Sequence, residues 1–449
     1  MTAFSESSRK LVHMGVGLCA LLLPWLSWQQ AAICAAAALA VNLFVLPRLA
    51  GHWLFRPDEL AGRRPAGIAI YPASVLALIV VFRSRIDLTA IAWVVLAVGD
   101  GVATLVGRRL GARAPRWPWN PDKRIAASAA FLVCAAAAGI AVAQWTAPAV
   151  PVAVPSWFPW VAPPAAALLA MLAETMPVGL DDNVSVPAAA AGVLWGLTLI
   201  DGSLAVDALS AAWTRAPAAV AVNGIVALAG WRAGAVSKSG VAGGLAVGLV
   251  IWLAAGPAAW SLLLAGFIVA AATSRLGLSR KRLLGIAEQA GGRRGAANAF
   301  ANCGLGAAAA CVGMMSPHAA AASLAMAAAL VSGASDTAAS EVGKAWGRTT
   351  WSPLTRSRVP PGTAGGMSAA GTLGGAAAAA GLAALAASLG IVPASAAWTI
   401  AAASIVAMTA EGAIAAALEP GGLVNNDLLN FLQTAIAAAL AVALDRAGA

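Results

Sequence analysis

The sequence predicts an all-α, polytopic transmembrane protein, and three observations predict it. The 449 residues are 61% apolar and only 10% charged, whereas a soluble globule carries about 25% charged residues. The apolar residues fall into about fifteen runs long enough, or nearly so, to cross a bilayer as helices. The Lys and Arg residues gather on alternate connecting segments, as the positive-inside rule requires.

In chain order the runs lie at 11–28, 31–47, 66–82, 88–106, 126–145, 160–173, 187–200, 216–230, 241–256, 258–274, 297–313, 319–335, 368–389, 392–409 and 431–444. Residues 1–10 are polar and lead straight into the first run, without a cleavable leader pattern. The abundance of Ala and Gly in the runs suits close helix packing in lipid. With the N-terminus in the cytoplasm, one face receives 1–10, 48–65, 107–125, 174–186, 231–240, 275–296, 336–367 and 410–430. Only Arg83, Arg85, Arg215 and Arg446 of the 28 Lys and Arg then fall on the other face. That asymmetry predicts an integral protein of a bacterial inner membrane with its site loops in the cytoplasm, and it accounts for the net charge of +10 without nucleic-acid binding.

The chemistry is expected on the basic face. Asp100, Asp122, Glu174, Asp181, Asp182, Asp336, Glu341, Glu411, Glu419 and Asp427 all lie on or beside it. Carboxylates near a bilayer are costly and point to function. Lys and Arg together with carboxylates suit a phosphate-rich, magnesium-chelated substrate. The five cysteines sit in apolar surroundings without a C-x-x-C pair, and the three histidines, at 13, 52 and 318, are too scattered for a transition-metal site. Oxygen-bound Mg²⁺ is the metal this leaves.

An internal repeat organises the chain. Gly99-Asp100-Gly101-Val102-Ala103-Thr104-Leu105-Val106-Gly107-Arg108 aligns with Ser335-Asp336-Thr337-Ala338-Ala339-Ser340-Glu341-Val342-Gly343-Lys344. Upstream, Gly62-Arg63-Arg64-Pro65-Ala66 aligns with Gly292-Arg293-Arg294-Gly295-Ala296. Two seven-helix halves, 1–200 and 241–449, are therefore expected, with 201–240 as a linker whose single span keeps them parallel.

In the first half, Ser8-Arg9-Lys10-Leu11-Val12-His13 stands at a helix start. It is followed by Gly99-Asp100-Gly101, Trp119-Asn120-Pro121-Asp122-Lys123, and Glu174-Thr175-x-Pro177 running into Asp181-Asp182-Asn183. In this order the motifs resemble the membrane phytol kinase and dolichol kinase family. The family's small residues after the Trp-Asn element are Arg124 and Ala127 here, with Ser128 kept. From about Ala216 onward the chain resembles the phytyl-phosphate kinase family. The motifs are Asp336-Thr337-x-x-Ser340-Glu341-Val342-Gly343, Val359-Pro360-Pro361-Gly362-Thr363-x-Gly365-Gly366-x-Ser368, Arg294 with Asn302, and Asn426-Asp427-x-x-Asn430. Asn298, Ala364 and Glu411-Gly412 depart from its usual residues.

The two resemblances imply a fused membrane kinase. It would carry an isoprenoid alcohol of the phytol or geranylgeraniol class to its monophosphate and then its diphosphate, with CTP favoured over ATP as donor, feeding quinone or tocopherol synthesis. Phosphoryl transfer is mostly positioning and charge neutralisation. Asp100, Asp181 and Asp182 are accordingly expected on Mg²⁺ in the first half, with Lys10, Arg108, Asn120, Lys123 and Ser128 toward the nucleotide. Glu174 or His13 would serve as base toward the alcohol. In the second half Asp336, Glu341 and Asp427 are expected on metal. Arg294, Asn302, Lys344, Arg358, Asn430 and the loop of Gly362, Gly365, Gly366 and Ser368 are expected on phosphate. The expected partners are lipid alcohol, lipid phosphate, nucleotide and membrane, with no oligomeric state assigned. Neither half has a P-loop. A membrane cytidylyltransferase and a transporter are the competing readings of the same charges.

Overall fold

The computed structural model describes residues 6–49, 67–111, 113–177, 179–287 and 293–448. His52, Arg56, the repeat element Gly62-Arg63-Arg64-Pro65-Ala66 and Gly292 lie outside the described residues. The chain divides into two units, Met1–Thr198 and Leu199–Ala449, so the span expected as a linker falls within the second.

In the first unit, α1 (Glu6–Gly17) passes into a 3₁₀ segment (Leu18–Trp25) that contains Pro24. Proline removes a helical donor and crowds the preceding turn, so the first apolar run does not form one continuous α-helix. Ser27 and Gln30 form a capping box that starts α2 (Trp28–Ala40). A π turn (Val41–Val45) and a last turn (Leu46–Leu49) prolong it. After α3 (Gly67–Val81) comes α4 (Ile86–Arg109), the axis of the unit, against which α1, α5 (Ile125–Thr146), α6 (Phe158–Thr175) and α7 (Asp182–Thr198) pack. Its side chains Leu88, Ile91, Val95 and Leu96 are fully enclosed, with Phe131 of α5 against them. Arg85 grips Asp87 at the start of α4 through two hydrogen bonds of 2.9 and 2.7 Å. Asp100 and the basic pair Arg108 and Arg109 lie toward its other end. Between α4 and α5 a small antiparallel hairpin pairs β1 (Arg116–Trp117) with β2 (Asn120–Arg124).

The second unit begins where the Asp201 carboxylate caps α8 (Gly202–Arg232), accepting from the amides of Ser203 and Leu204. α9 (Lys238–Arg275) is nominally 38 residues long but doubles back at Gly256, whose φ of 81° only glycine adopts readily, just before Pro257. The Trp252 and Trp260 rings lie 5.3 Å apart, whereas eight residues of straight helix would separate them by about 12 Å. The runs at 241–256 and 258–274 thus form two helical arms. Then come α10 (Leu278–Leu283), α11 (Ala296–Met315) and α12 (Ala319–Trp346). α12 is the axis here, packed by α9, α11, α13 (Ala369–Ser388), α14 (Ala396–Leu418) and α15 (Asn426–Gly448). A second hairpin, β3 (Thr350–Trp351) with β4 (Arg358–Val359), connects α12 to α13.

The protein is a polytopic all-α membrane protein. Ten helices among the described residues are long and apolar enough to cross a membrane, and α4 and α12 are the most enclosed of them. Fewer helices reach that length than the apolar runs suggested. The first run is interrupted by Pro24, and α3 has 15 described residues. The largest change is at α12. The sequence run ends at 335, but the helix continues to Trp346. Asp336, Glu341 and Lys344 therefore stand on an enclosed helix, not in a loop, because cations from elsewhere neutralise the carboxylates.

Candidate functional sites

In the first unit α1, α4, the β1–β2 hairpin, α6 and α7 bring charges together from positions far apart in sequence. The Lys10 ammonium donates to the Asp100 carboxylate, and both are buried. His13, one turn further along α1, has Nε2 3.8 Å from the same carboxylate and no hydrogen-bond partner for that atom among the described residues. The His13 ring stacks on Tyr71 at 4.0 Å, and the Tyr71 hydroxyl accepts from Trp93 Nε1 at 2.7 Å. This packing fixes the imidazole beside Asp100.

Lys123, at the end of the hairpin, donates to Glu174 Oε1 at 2.5 Å and to Asp182 Oδ2 at 3.3 Å. Burial alone would lower its ammonium, but Asp182 and Glu174 outweigh burial and hold it above its ordinary value. Glu174 lies just past the apolar run of α6. Burial pushes its carboxyl up, and Lys123 only partly offsets this. Burial also raises Asp182, against Lys123, and repulsion from Asp100 adds to the shift. Lys10, Asp100, Lys123, Glu174 and Asp182 thus share one electrostatic cluster. A carboxyl with a raised pKa beside a lysine can take a proton from a hydroxyl, while the lysine can meet phosphate.

Other residues expected at this site hold it together. Asn120 donates to the Thr175 carbonyl at 3.0 Å and accepts from the Asp122 amide, tying the hairpin to the end of α6. Ser128 is buried and accepts from Trp117 Nε1 at 2.9 Å. Asp181 starts α7, accepting from the Asn183 amide and side chain at 2.9 and 2.7 Å. The structure gives these three local bonding duties. Arg108 is exposed at the end of α4.

In the second unit, α12 carries buried Asp336 and Glu341. Arg294 and Lys344 are the cations that face Asp336, and Glu411 of α14 is near enough to repel it. Glu341 is engaged at both oxygens, by Lys281 at 2.6 Å and Lys344 at 2.9 Å. This occupies the atoms expected on a metal. Arg294 donates to Asn298 Oδ1 and to Ser274 Oγ, each at 3.0 Å, leaving Nε buried without a hydrogen-bond partner among the described residues. Asn302, 8% exposed, donates to the Asn298 carbonyl at 2.9 Å, and its Oδ1 is likewise without a hydrogen-bond partner among the described residues.

The loop from Val359 to Ser368 has a structural component. Ser368 caps α13, accepting from the Gly371 amide at 3.2 Å. Gly362 and Gly365 have positive φ, and Gly366 packs on Thr350. Exposed Arg358 lies over the Trp351 ring at 5.4 Å. Asp427 is half-buried and Asn430 buried in the first turns of α15.

Sequence reasoning passed over Lys281, Tyr71 and Trp93. Nothing in Arg280-Lys281-Arg282 distinguishes the middle residue from an ordinary basic loop. Tyr71 carried one signal, since it is the chain's sole tyrosine. Among the described residues no three His, Cys, Asp or Glu side chains form a ready-made metal site. Asp100, Glu174, Asp182 and Glu341 are paired instead with lysines. That donor chemistry fits Mg²⁺ arriving on phosphates, since this ion usually takes only one or two protein carboxylates.

Comparison with known proteins adds to this geometry. Residues 221–438, just under half of the chain, match the family described as "Integral membrane protein DUF92". Over 136 residues the chain is 34% identical to "Protein VTE6, chloroplastic" of Arabidopsis thaliana, covering 29% of this chain and 41% of that protein. It is 37% identical over 124 residues to "Uncharacterized membrane protein sll0875" of Synechocystis sp. (strain ATCC 27184 / PCC 6803 / Kazusa), covering 27% and 48%. The chain thus spans less than half of either relative. No solved structure matches it.

Proposed function

We propose that this protein is a membrane phosphotransferase acting on isoprenoid substrates, with the second unit phosphorylating a prenyl monophosphate. The observation that carries the reading is buried Asp336, faced by Arg294 and Lys344 from different parts of the second unit. A buried carboxylate with an arginine and a lysine within electrostatic reach suits phosphate groups and their counter-ion. The phytyl-phosphate kinase resemblance, the match to VTE6 and the membrane-spanning helices support the same substrate class.

The first unit is proposed to phosphorylate the alcohol. Its hydroxyl oxygen would bond to the γ-phosphorus of CTP or ATP, the bond from phosphorus to the β–γ bridging oxygen would break, and nucleoside diphosphate would leave. Glu174 would take the hydroxyl proton, with His13 as the other candidate, while Lys123 would hold phosphate. In the second unit the attacking atom is already a phosphate oxyanion, so no base is needed. Mg²⁺, when bound with the nucleotide, would supply charge neutralisation next to Asp100 and Asp182 in one unit and Asp336 in the other. Glu341 would keep Lys281 and Lys344 in place. Nucleotide would come from the cytoplasm, and the lipid from between helices of a bacterial inner membrane.

Purified protein in detergent, given magnesium, labelled CTP or ATP, and a panel of prenols and prenyl monophosphates, should yield labelled lipid phosphate and nucleoside diphosphate. Pyrophosphate as the product would replace this reading with nucleotidyl transfer. No transfer from any donor by folded protein would remove it.

A further inference from the structure

A cavity of about 160 Å³ lies inside the second unit, bounded by α8, α9, α11 and α12. Its wall carries a ladder of small residues, Gly240, Gly244 and Gly248, one helical turn apart on the first arm of α9. Two of them are tightly walled, since a Cβ on Gly240 would overlap the Arg294 carbonyl and one on Gly248 the Asn223 side chain. Gly244 differs, because a Cβ there meets nothing within 4 Å. Trp260, which donates to Asn223 Oδ1 at 2.9 Å, lies near Gly248, and Arg294 and Asn302 also line the cavity. The ladder spans about 12 Å from the Arg294 side to the Asn223–Trp260 pair.

We infer that this cavity is the seat of the lipid acceptor: an isoprenoid chain lying along Gly244 with its phosphate at Arg294 and Asn302. The inference rests on the reading above and adds where the substrate binds and what selects it. Gly244 leaves room for an apolar chain, and most of the wall is apolar. The polar end carries two complementary groups: among the described residues, Arg294 Nε is a donor without a hydrogen-bond partner, and Asn302 Oδ1 is an acceptor without one, on a residue more than nine-tenths buried. A buried polar group left in that condition is costly unless something fills it. A phosphate monoester, whose second pKa is near 6, can accept from the arginine and, when singly protonated, donate to the amide oxygen. Gly244 would then set how long and bulky a chain is accepted.

The experiment separates this inference from the kinase reading by measuring binding without nucleotide. Full-length protein in nanodiscs is labelled with a geranylgeranyl monophosphate carrying a diazirine on its chain, and the labelled peptides are mapped. Labelling is expected on the α9 arms around Val247 and Trp260. Arg294→Ala should weaken binding of the phosphate at least tenfold while leaving binding of the unphosphorylated alcohol within about twofold. Gly244→Phe should abolish labelling by the geranylgeranyl probe and retain binding of dimethylallyl monophosphate. A thermal midpoint of Gly244→Phe within a few degrees of the parent, together with its retained binding of dimethylallyl monophosphate, serves as the folding control. Labelling confined to other helices, or labelling in Gly244→Phe equal to the parent, would overturn the inference even if phosphoryl transfer is found. Alcohol and phosphate losing affinity equally in Arg294→Ala would overturn the head-group assignment. Labelling in the cavity without transfer from any donor would uphold the seat and reject the kinase.

Discussion

Lys281 and Glu341 meet in an ion pair of 2.6 Å, with 1% and 2% of their side chains exposed. The lysine spends its other donors on the carbonyls of Thr273 and Ser274, each at 3.2 Å, so all three of its N–H groups have partners. The second oxygen of Glu341 is held by Lys344. One carboxylate on α12 therefore anchors both α10 and the end of α9.

A buried pair of this kind is vulnerable to loss of one member. Lys281→Ala is expected to destabilise the protein by about 3 kcal/mol, near the low end for broken buried pairs because Lys344 still neutralises part of the charge. Changing both members, Lys281→Met with Glu341→Met, should cost less than Lys281→Ala alone, since Lys344 is partly exposed and can face water. Chemical unfolding in detergent measures both. A double variant less stable than the single one would show that the pair does more than cancel charge.

The two carboxylates on the two axial helices should fail separately. Asp100→Asn is expected to lower phosphorylation of the alcohol by about 100-fold or more, the usual scale for losing a group that stabilises transition-state charge. It should leave the monophosphate step intact, and Asp336→Asn should do the reverse. Initial rates with a prenol and with a prenyl monophosphate decide this. Loss of both steps in either variant would point to one shared site.

Glu174, as the proposed base, would give the proposed alcohol step a pH signature. Burial raises its carboxyl above the ordinary 4.5, so as a base it is lost on acidification at a pH above 4.5. The acid limb of kcat/KM should reflect that position. Lys123 opposes the shift, so Lys123→Ala should move the limb to higher pH, besides raising KM for nucleotide. For stability the sign is the opposite of a paired carboxylate. A raised acid is favoured protonated in the fold, so its contribution is present below the unfolded pKa and lost as pH rises through the folded value. An acid limb that moves to lower pH in Lys123→Ala would exclude Glu174 as the base.

Much of this architecture is legible because membrane insertion leaves large signals. The apolar runs, the basic alternate loops and the Asp100 and Asp336 motifs mark the helices and the charged ends directly. Partnerships across the fold leave no such trace. Lys281 pairs with a residue sixty positions away, and its neighbours Arg280 and Arg282 are equally basic. The tip of α12 was hidden for a related reason. Charged residues read locally as the end of a span, and only the distant lysine explains why the helix carries them onward. Asn120 and Ser128 show the converse, motif residues whose polar atoms the fold uses for its own bonds.

The glycine loop offers a last test, because its two positive-φ glycines face different neighbours. Gly365 has φ +65°, and an added Cβ would overlap the Gly412 carbonyl of α14, next to Glu411. Backbone cannot yield as a side chain can. Gly365→Ala combines that collision with left-handed strain of about 1–3 kcal/mol. It should push the loop away from α14 and reduce both stability and the monophosphate step. Gly362, at φ +86°, would place its Cβ 2.6 Å from the Cγ2 methyl of Ile286, a side-chain neighbour that must shift but is not backbone. Gly362→Ala should therefore lose less than Gly365→Ala, its backbone strain joined by a side-chain and not a backbone collision. Thermal midpoints of the two variants, read beside their rates on prenyl monophosphate, make the comparison. Equal losses would mean that the contact with α14 adds nothing, leaving the loop's role to its backbone amides alone.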